Sequence, residues 1–491
     1  MKLSKSLYTK GIQCVKALWL KKYKKEILTP PLEASLAIFE RGNEVGELAC
    51  KLFPKGKKVV YSKDFSSMVN TTKEYIEQGV RNIYEATFVY EGILVLVDIL
   101  VVKEEGVHIY EVKSSSHIKD IYIHDTSIQT YVLKKLGFNV LSSNLVHINS
   151  SYIRGDYLDL YKFFTVVNIS KEVEDLQKDI PAVLINFKLY LDDKINEPNI
   201  DIGKHCKNPY PCDATEYCWT KQRQIPVYSI FNIFNLGSKK QIELYDEGII
   251  NVEDIPEDFD MTSAQKQAVQ NYKTKETYIN KEKIQEFLNT LTYPIYHLDF
   301  ETFQQAIPQW QGISAFMQIP FQYSLHIEQE DGSIEHKEFL ALDGIDPRKE
   351  LSKKLCKDIP SDVTVLAYNM SFEQGVIKKL ASNFPKKSSH LLAINENMKD
   401  LMFPFLKKYY VKPEMKGSYS IKYVLPALDK KMQESYKKLE GVQNGSQAMN
   451  VYANLSKQAE VDKKRIRKNL LKYCELDTLA MVKILNKLKK I

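Results

Sequence analysis

In the segment YHLDFETF, Asp299 and Glu301 stand two residues apart, so on a strand their side chains share a face. Glu373 follows where the strand-like VTVLAY gives way to a helical pattern, and Tyr473 and Asp477 are four apart near the C-terminus, on one face of a helix. Four carboxylates gathered at one point repel one another and shift in pKa. Two divalent cations about 4 Å apart resolve that repulsion and clamp the attacking and leaving oxygens of a phosphodiester. The Tyr473 hydroxyl would then orient or activate the attacking water. Taken separately, DFE reads as a solvated strand end and Tyr473 with Asp477 as an amphipathic helix. Order and spacing together point to Asp299, Glu301, Glu373 and Asp477 as metal ligands. Asp400, in KDLMFPF, is a competing carboxylate.

A second set lies in the N-terminal half. Asp98 interrupts the apolar run ILVLVDILVV, sharing a face with Leu94 and Leu96, and Glu111 and Lys113 stand two apart on the next strand-like segment. A buried carboxylate is costly unless paired or bound to a cation. Asp98 and Glu111 would hold Mg²⁺ or Mn²⁺ through oxygen, and Lys113 would position a water and stabilise developing charge. Alone, these three residues read as a salt-bridged hairpin, Glu111 with Lys103 or Lys113. Gln129 and Tyr131 on the following helical segment, with the cysteines, turn the reading towards a nuclease centre.

Seven cysteines are too few for a disulfide scaffold, yet Cys206, Cys212 and Cys218 fall within thirteen residues. Clustered thiolates select zinc or iron–sulfur, and the C-x2-C knuckles of structural zinc sites are missing. Cys50, Cys356 and Cys474 fit a buried core role.

The residues from Asp98 to Gln129, with Cys14 joined to the three clustered cysteines, resemble the RecB-like branch of the PD-(D/E)XK nucleases. That resemblance spans residues 1–222. It implies a [4Fe–4S] cluster on Cys14, Cys206, Cys212 and Cys218, clamping the first helix to the end of the domain, and one or two divalent ions at Asp98 and Glu111. Gly46 stands where that branch has a metal-binding His in G-x-x-V-H, with Glu47 beside it. Leu133 stands at the Tyr of its Gln-x-x-x-Tyr motif, with Tyr131 nearby. Residues 289–491 resemble DnaQ-like exonucleases of the DEDDy type, with D-x-E, then N-x-x-F-D (here Asn369 to Glu373), then Y-x-x-x-D on an RNase H-like fold. Glu373 replaces the usual Asp. The combination also resembles an uncharacterised bacterial family joining the two. It implies a metal-dependent 3′→5′ exonuclease with two ions in the C-terminal centre, acting on DNA single strands or 3′ ends. The alternatives are an RNA-trimming exonuclease, or a nucleic-acid-binding module with a catalytically dead N-terminal domain. Repair, recombination and phage defence stay open as pathways, and no protein partner is indicated.

Elements must position these residues. Helical periodicity covers 7–24 and 32–52, with Pro54 and Gly56 ending the second. ATFVYEGILVLVDILVV and GVHIYEVKSS read as a hairpin, 125–136 as a helix, and FNVLSSNLVHIN as a strand. Residues 223–288 read as a helical linker, with a Gly turn that resembles a helix-hairpin-helix. Then YPIYHLDFETF, IPFQYSLHI, HKEFLAL and VTVLAY are strands, SFEQGVIKKLA is a helix, and a Lys-rich helix runs from about 459. Mixed strands and helices make the fold α/β.

The 491 residues, 44% hydrophobic, allow two to four domains with sizeable cores. Net charge is +7, which permits a nucleic-acid partner without demanding one. The run Ile93 to Val102 is far short of the roughly 20 residues of a membrane span, and MKLSKSLYTKGIQC lacks an apolar signal core. The expectation is a cytoplasmic protein without a membrane partner.

Overall fold

The computed structural model describes residues 2–31 and 33–491, with the side chains of 33–40 and 433 outside the description. The fold is mixed α/β, in two compact units: residues 1–225 with 305–316, and residues 226–304 with 317–491. Among the described residues, no helix is long and apolar enough to cross a membrane.

The first unit is built on a seven-stranded sheet. Asn82–Tyr90, Ile93–Lys103 and Gly106–Lys113 form an antiparallel meander, and Val140–Ile148 adds in parallel to the third strand. The long run expected as one strand turns at Glu91 and Gly92, both with positive φ. Ile93, Val95 and Val97 alternate into the core while Leu94, Leu96 and Asp98 lie half-buried. Past Asp98 the alternation changes sides: Leu100 joins Val95 and Val97, whereas Ile99 and Val101 pack with Val45 and Phe163. The ladder skips the Glu85–Asp98 pair, and Glu85 sits at φ 58°, a strained backbone for a non-glycine residue.

The helix expected over 7–24 is two helices, Lys5–Gln13 and Val15–Tyr23, broken at Cys14 with φ −165° and ψ 119°. The expected second helix is Glu33–Cys50; Leu32, read as its start, lies outside the described residues. The helix Asp120–Lys135 begins five residues earlier than its periodicity suggests. Residues 305–316 pack into this unit through their own contacts. Arg154 N–H donates to Ile313 O at 3.0 Å and the Arg154 guanidinium to Pro308 O at 2.6 Å, while Ala306 and Ala315 pack beside Phe163.

The segment read as a linker holds three regular helices, Ser238–Asp246, Ser263–Thr274 and Lys281–Leu288, with 3₁₀ turns at Ile230–Asn232 and Val252–Asp254. The Gly237 turn lies between the 3₁₀ turn Ile230–Asn232 and the helix Ser238–Asp246. Ile230, Leu236, Leu244, Val252 and Val269 bury around one another as a local core.

The second unit has a five-stranded sheet in the order Ile334–Leu340, Ile319–Glu328, Ile295–Phe303, Thr364–Ala367, Met398–Asp400. The first three strands are antiparallel and the last two run parallel to the central one. The central strand is buried throughout apart from Asp299, which is half-buried. The helix Glu460–Leu488 buries Leu470, Cys474, Met481 and Leu485. Polar contacts fix its rotation on the sheet. Gln322 Nε2 donates to Leu470 O at 2.8 Å, and Thr478 Oγ1 lies 2.7 Å from both Ser324 Oγ and His326 Nδ1.

Candidate functional site

The second unit brings three of its four expected carboxylates together. Single oxygens of Asp299, Glu301 and Asp477 lie within 4.8 Å of one another, a spacing that suits a shared metal ion. The central strand supplies two of them and the long helix the third. Burial and mutual repulsion push Asp299 and Glu301 well above the usual carboxylate range, Asp477 being the leading neighbour for each. Burial lifts Asp477 to about 7, with hydrogen bonds from Tyr436 and Tyr473 pulling the other way. Among the described residues no salt bridge reaches the three, Lys422 only weakly lowering Asp477, and carboxylates held so close with so little positive charge beside them are poised to take metal.

Glu373 lies outside that triad but raises both Asp299 and Glu301. It is 3% exposed, its Oε2 has no hydrogen-bond partner, and burial followed by Asp400 lifts it to about 8. Asp400 accepts the backbone N–H groups of Asn369 and Met402, each at 2.9 Å. It thus holds the turn that opens the Glu373 helix, with Asn369 at φ 67°. Tyr473 is buried, and burial followed by Asp477 and Glu301 pushes its hydroxyl far up, so it stays protonated at neutral pH. Two further residues have no signal in the sequence. Tyr436 donates to Asp477 Oδ1 at 2.8 Å from a separate helix, Lys430–Lys437. Cys474, expected as core, is fully buried but its Sγ is 3.8 Å from Asp299 Oδ2. An open cavity of about 320 Å³ adjoins Tyr473 and Asp477, with Lys422 and Lys437 among its lining and Ile421, Leu425 and Pro426 as an apolar floor.

The first unit's set also converges, but with cations inside it. Asp98 Oδ2 accepts Val112 N–H at 2.7 Å, taking a place the ladder leaves open. Lys113 Nζ donates to Glu111 Oε1 at 2.7 Å and also to Asp125. Gln129 Nε2 donates to Glu111 Oε2 at 2.8 Å. Lys5 Nζ reaches Glu111 Oε1 at 2.9 Å and Oε2 at 3.1 Å. Burial pushes Asp98 up to about 7, with Glu111 adding. Burial would also raise Glu111, but Lys113 and Lys5 together hold it below the ordinary range. Lys5, Asp125 and Glu85 belong to this centre and were missed. Asp125 was readable, standing four residues before Gln129 on one helix face.

Tyr131 is not in this centre: Lys135 lies over its ring and its charged neighbour is Glu91. Tyr122 takes the aromatic place, with Lys113 Nζ 5.1 Å above its ring. Glu47 pairs with Lys58 instead of the carboxylates, and Leu133 is buried in the core. The Lys5 ammonium stands among the oxygens of Asp98 and Glu111 expected to bind a divalent ion.

Among known proteins, a family model described as a domain of unknown function, DUF2779, matches residues 296–420. The match takes in Asp299, Glu301, Glu373 and Asp400 and stops short of Tyr473 and Asp477. The chain is also 26% identical over 365 residues to "Uncharacterized protein UU173" of Ureaplasma parvum serovar 3, an alignment covering 67% of this chain and 51% of that protein. The chain thus spans about half the length of the curated relative it matches.

The four expected cysteines Cys14, Cys206, Cys212 and Cys218 line one small cavity. Cys14 caps the N-terminus of Val15–Tyr23, where backbone N–H groups of Lys16 and Ala17 oppose the rise that burial imposes on its thiol. Burial likewise raises Cys212, and Cys218 to about 11, with Lys16 opposing the latter. Gln13 Nε2 donates to His205 O at 2.8 Å and Tyr210 O at 2.7 Å, and Lys10 pairs with Asp213 at 2.7 Å, tying the first helix to the cysteine loop. Around one zinc ion with bonds of about 2.3 Å, four thiolates stand roughly 3.8 Å apart. The acidic triad of the second unit meets a single-ion spacing; the four thiols do not. The cavity thus gathers four thiols, helix-end N–H groups at Cys14 and the buried Lys16, itself paired with Glu197 at 2.8 Å.

Proposed function

We propose that the protein is a metal-dependent nuclease whose second unit is a 3′→5′ exonuclease on DNA. The observation carrying this is the triad of Asp299, Glu301 and Asp477, close together, raised in pKa and in no salt bridge among the described residues, beside the Tyr473 hydroxyl. The order D-x-E, N-x-x-F-E, Y-x-x-x-D, which resembles DEDDy exonucleases, supplies the chemistry and the polarity. Asp299, Glu301 and Asp477 would hold Mg²⁺ or Mn²⁺, with Glu373 next to them. When bound, such ions supply Lewis acidity and charge neutralisation towards a phosphodiester. Tyr473 would orient a water by hydrogen bonding. Tyr436 fixes Asp477. The adjoining cavity is of the size of small-ligand pockets, roughly 300–1,000 Å³; Lys422 and Lys437 offer cations to a phosphate and the apolar floor a surface for a base.

In the first unit we infer a RecB-like domain stapled by a [4Fe–4S] cluster on Cys14, Cys206, Cys212 and Cys218, which grips nucleic acid. The clearest test is purified protein with Mn²⁺ on DNA and RNA labelled at either end. Stepwise shortening of DNA from the 3′ end, lost in Asp299→Ala, is expected. Shortening that survives Asp299→Ala would overturn the reading. Glu373→Asp is expected to retain partial rate and Glu373→Ala little; equal, near-wild-type rates in both would remove Glu373 from the site.

A further inference from the structure

The first unit's carboxylates also face one another, though not at the single-ion spacing of the second unit's triad, and one ammonium stands among them. Lys5 Nζ is 2.9 Å and 3.1 Å from the two Glu111 oxygens, 3.9 Å from Asp98 Oδ1, 4.0 Å from Asp125 Oδ1, and 3.4 Å from the Leu96 carbonyl. Lys113 holds Glu111 and Asp125 from another direction. Both Glu111 oxygens are therefore engaged, Oε1 by two ammonium groups and Oε2 by Lys5 and Gln129.

The position of Lys5 follows from the backbone. Leu3 and Ser4 form a short strand paired in parallel with Ile93 and Leu94, with Leu3 N–H donating to Gly92 O at 3.0 Å. Leu3 is 2% exposed, and the Ser4 side chain caps the helix that Lys5 opens. Lys5 is thus aimed along the strand that carries Asp98, and its ammonium ends where the three acids face one another. One polar atom there is left over: Gln129 is fully buried, and its Oε1 has no hydrogen-bond partner although its Nε2 is bound to Glu111. A buried amide oxygen without a donor is costly and is a hard-cation ligand in waiting.

We infer that Lys5 is a tethered counter-ion that fills the cation seat of Asp98, Glu111 and Asp125, so that the first centre takes a divalent metal only once Lys5 is displaced or removed. Lys5 and Lys113 offset two of the three carboxylates that Lys5 reaches, Glu85 lying outside those contacts, and an ammonium set among the oxygens takes the place a strongly hydrated divalent ion would need. Removing Lys5 restores a second charge and frees one side of Glu111, with Gln129 Oε1 as an added oxygen. This inference concerns the first unit alone and is independent of the exonuclease reading of the second.

The test is Mn²⁺ binding, read by loss of the free-ion electron paramagnetic resonance signal, on full-length protein carrying Asp299→Ala and Asp477→Ala to remove the second centre. With Lys5 intact, adding Glu111→Gln should leave the bound Mn²⁺ unchanged. Lys5→Gln should gain one Mn²⁺ per chain, at least tenfold tighter than the parent, and Glu111→Gln on top should abolish that gain. A Mn²⁺ ion that depends on Glu111 while Lys5 is present would overturn the inference. So would a folded Lys5→Gln protein, by circular dichroism, that binds no additional ion. Lys5→Met, which keeps the apolar stem, replaces Lys5→Gln if the latter fails to fold, and the Lys5-intact comparison decides by itself in either direction.

Discussion

Two clusters of acids in one chain have solved the same electrostatic problem in opposite ways. In the first unit, Lys5 and Lys113 sit among Asp98, Glu111 and Asp125, and Glu111 is held below the ordinary carboxylate range. In the second, Asp299, Glu301 and Asp477 face one another with hydroxyls and a thiol as their nearest polar neighbours, and all three are raised. A self-neutralised cluster is stable as it stands. A bare cluster is a receptor that must bind either protons or cations. The types of residue are nearly the same; what separates the two is whether a lysine stem reaches the middle.

The sharpest break between the two is rate. Asp299→Ala removes a carboxylate of the bare cluster, and the 3′→5′ rate with Mn²⁺ should fall by about 10³-fold or more. Glu111→Gln in the self-neutralised cluster should leave that rate within about twofold, measured on the same end-labelled strand. Equal losses would mean that both clusters serve one reaction. Next come the two hydroxyls around Asp477. Tyr473→Phe should cost about 10²-fold in kcat with KM little changed. Tyr436→Phe, acting only through Asp477, should cost about tenfold, recovered by raising Mn²⁺. If Mn²⁺ rescues Tyr473→Phe instead, the roles are reversed.

How much of this could be read from the chain alone differs between the clusters too. Asp299, Glu301, Tyr473 and Asp477 carry period-2 and period-4 signals inside single elements, and those elements formed where expected: Ile295–Phe303 and Glu460–Leu488. The α/β character and most strands were legible for the same reason. Lys5 was not, because its reach depends on Leu3 and Ser4 pairing with Ile93 and Leu94, a contact between segments ninety residues apart. Tyr436 was hidden likewise, lying on a separate helix with no spacing relation to Asp477. The break at Cys14 escaped because apolar periodicity continues across it; only the extended backbone at that residue turns its sulfur towards the other three. Residues 305–316 gave no sign that they pack with the first unit, since Ala306 and Ala315 are unremarkable without Phe163 beside them.

The cysteine cavity belongs to the first unit alone. Anaerobically purified protein should be brown, with a visible iron–sulfur absorbance that Cys212→Ser bleaches. The same change should lower the first unit's melting temperature by about 5 °C or more while the 3′→5′ rate stays within about twofold. Colourless wild-type protein with stoichiometric zinc would refute the cluster.

The smallest expected effect is on stability against pH, and its sign follows from the raised carboxylates. Asp477 moves from 3.8 to about 7 and Glu373 from 4.5 to about 8 on folding, with Asp299 and Glu301 raised as well. Between about pH 4 and pH 8 these carboxyls therefore hold more protons in the folded chain than in the unfolded one. Their contribution is fully present below the unfolded values and is lost as pH rises through the folded ones, so metal-free protein should become less stable towards pH 8. Asp98 adds to that slope from the first unit, whereas Glu111 acts only on the acid side of its ordinary 4.5. If Mn²⁺ binds the deprotonated triad and not the self-neutralised cluster, as proposed, it should raise the melting temperature by a few degrees at pH 8 and hardly at pH 5. Asp299→Asn should abolish that Mn²⁺ gain and Glu111→Gln should leave it intact. A gain at pH 8 that survives Asp299→Asn but vanishes with Glu111→Gln would move the metal to the first unit and exchange the roles of the two clusters.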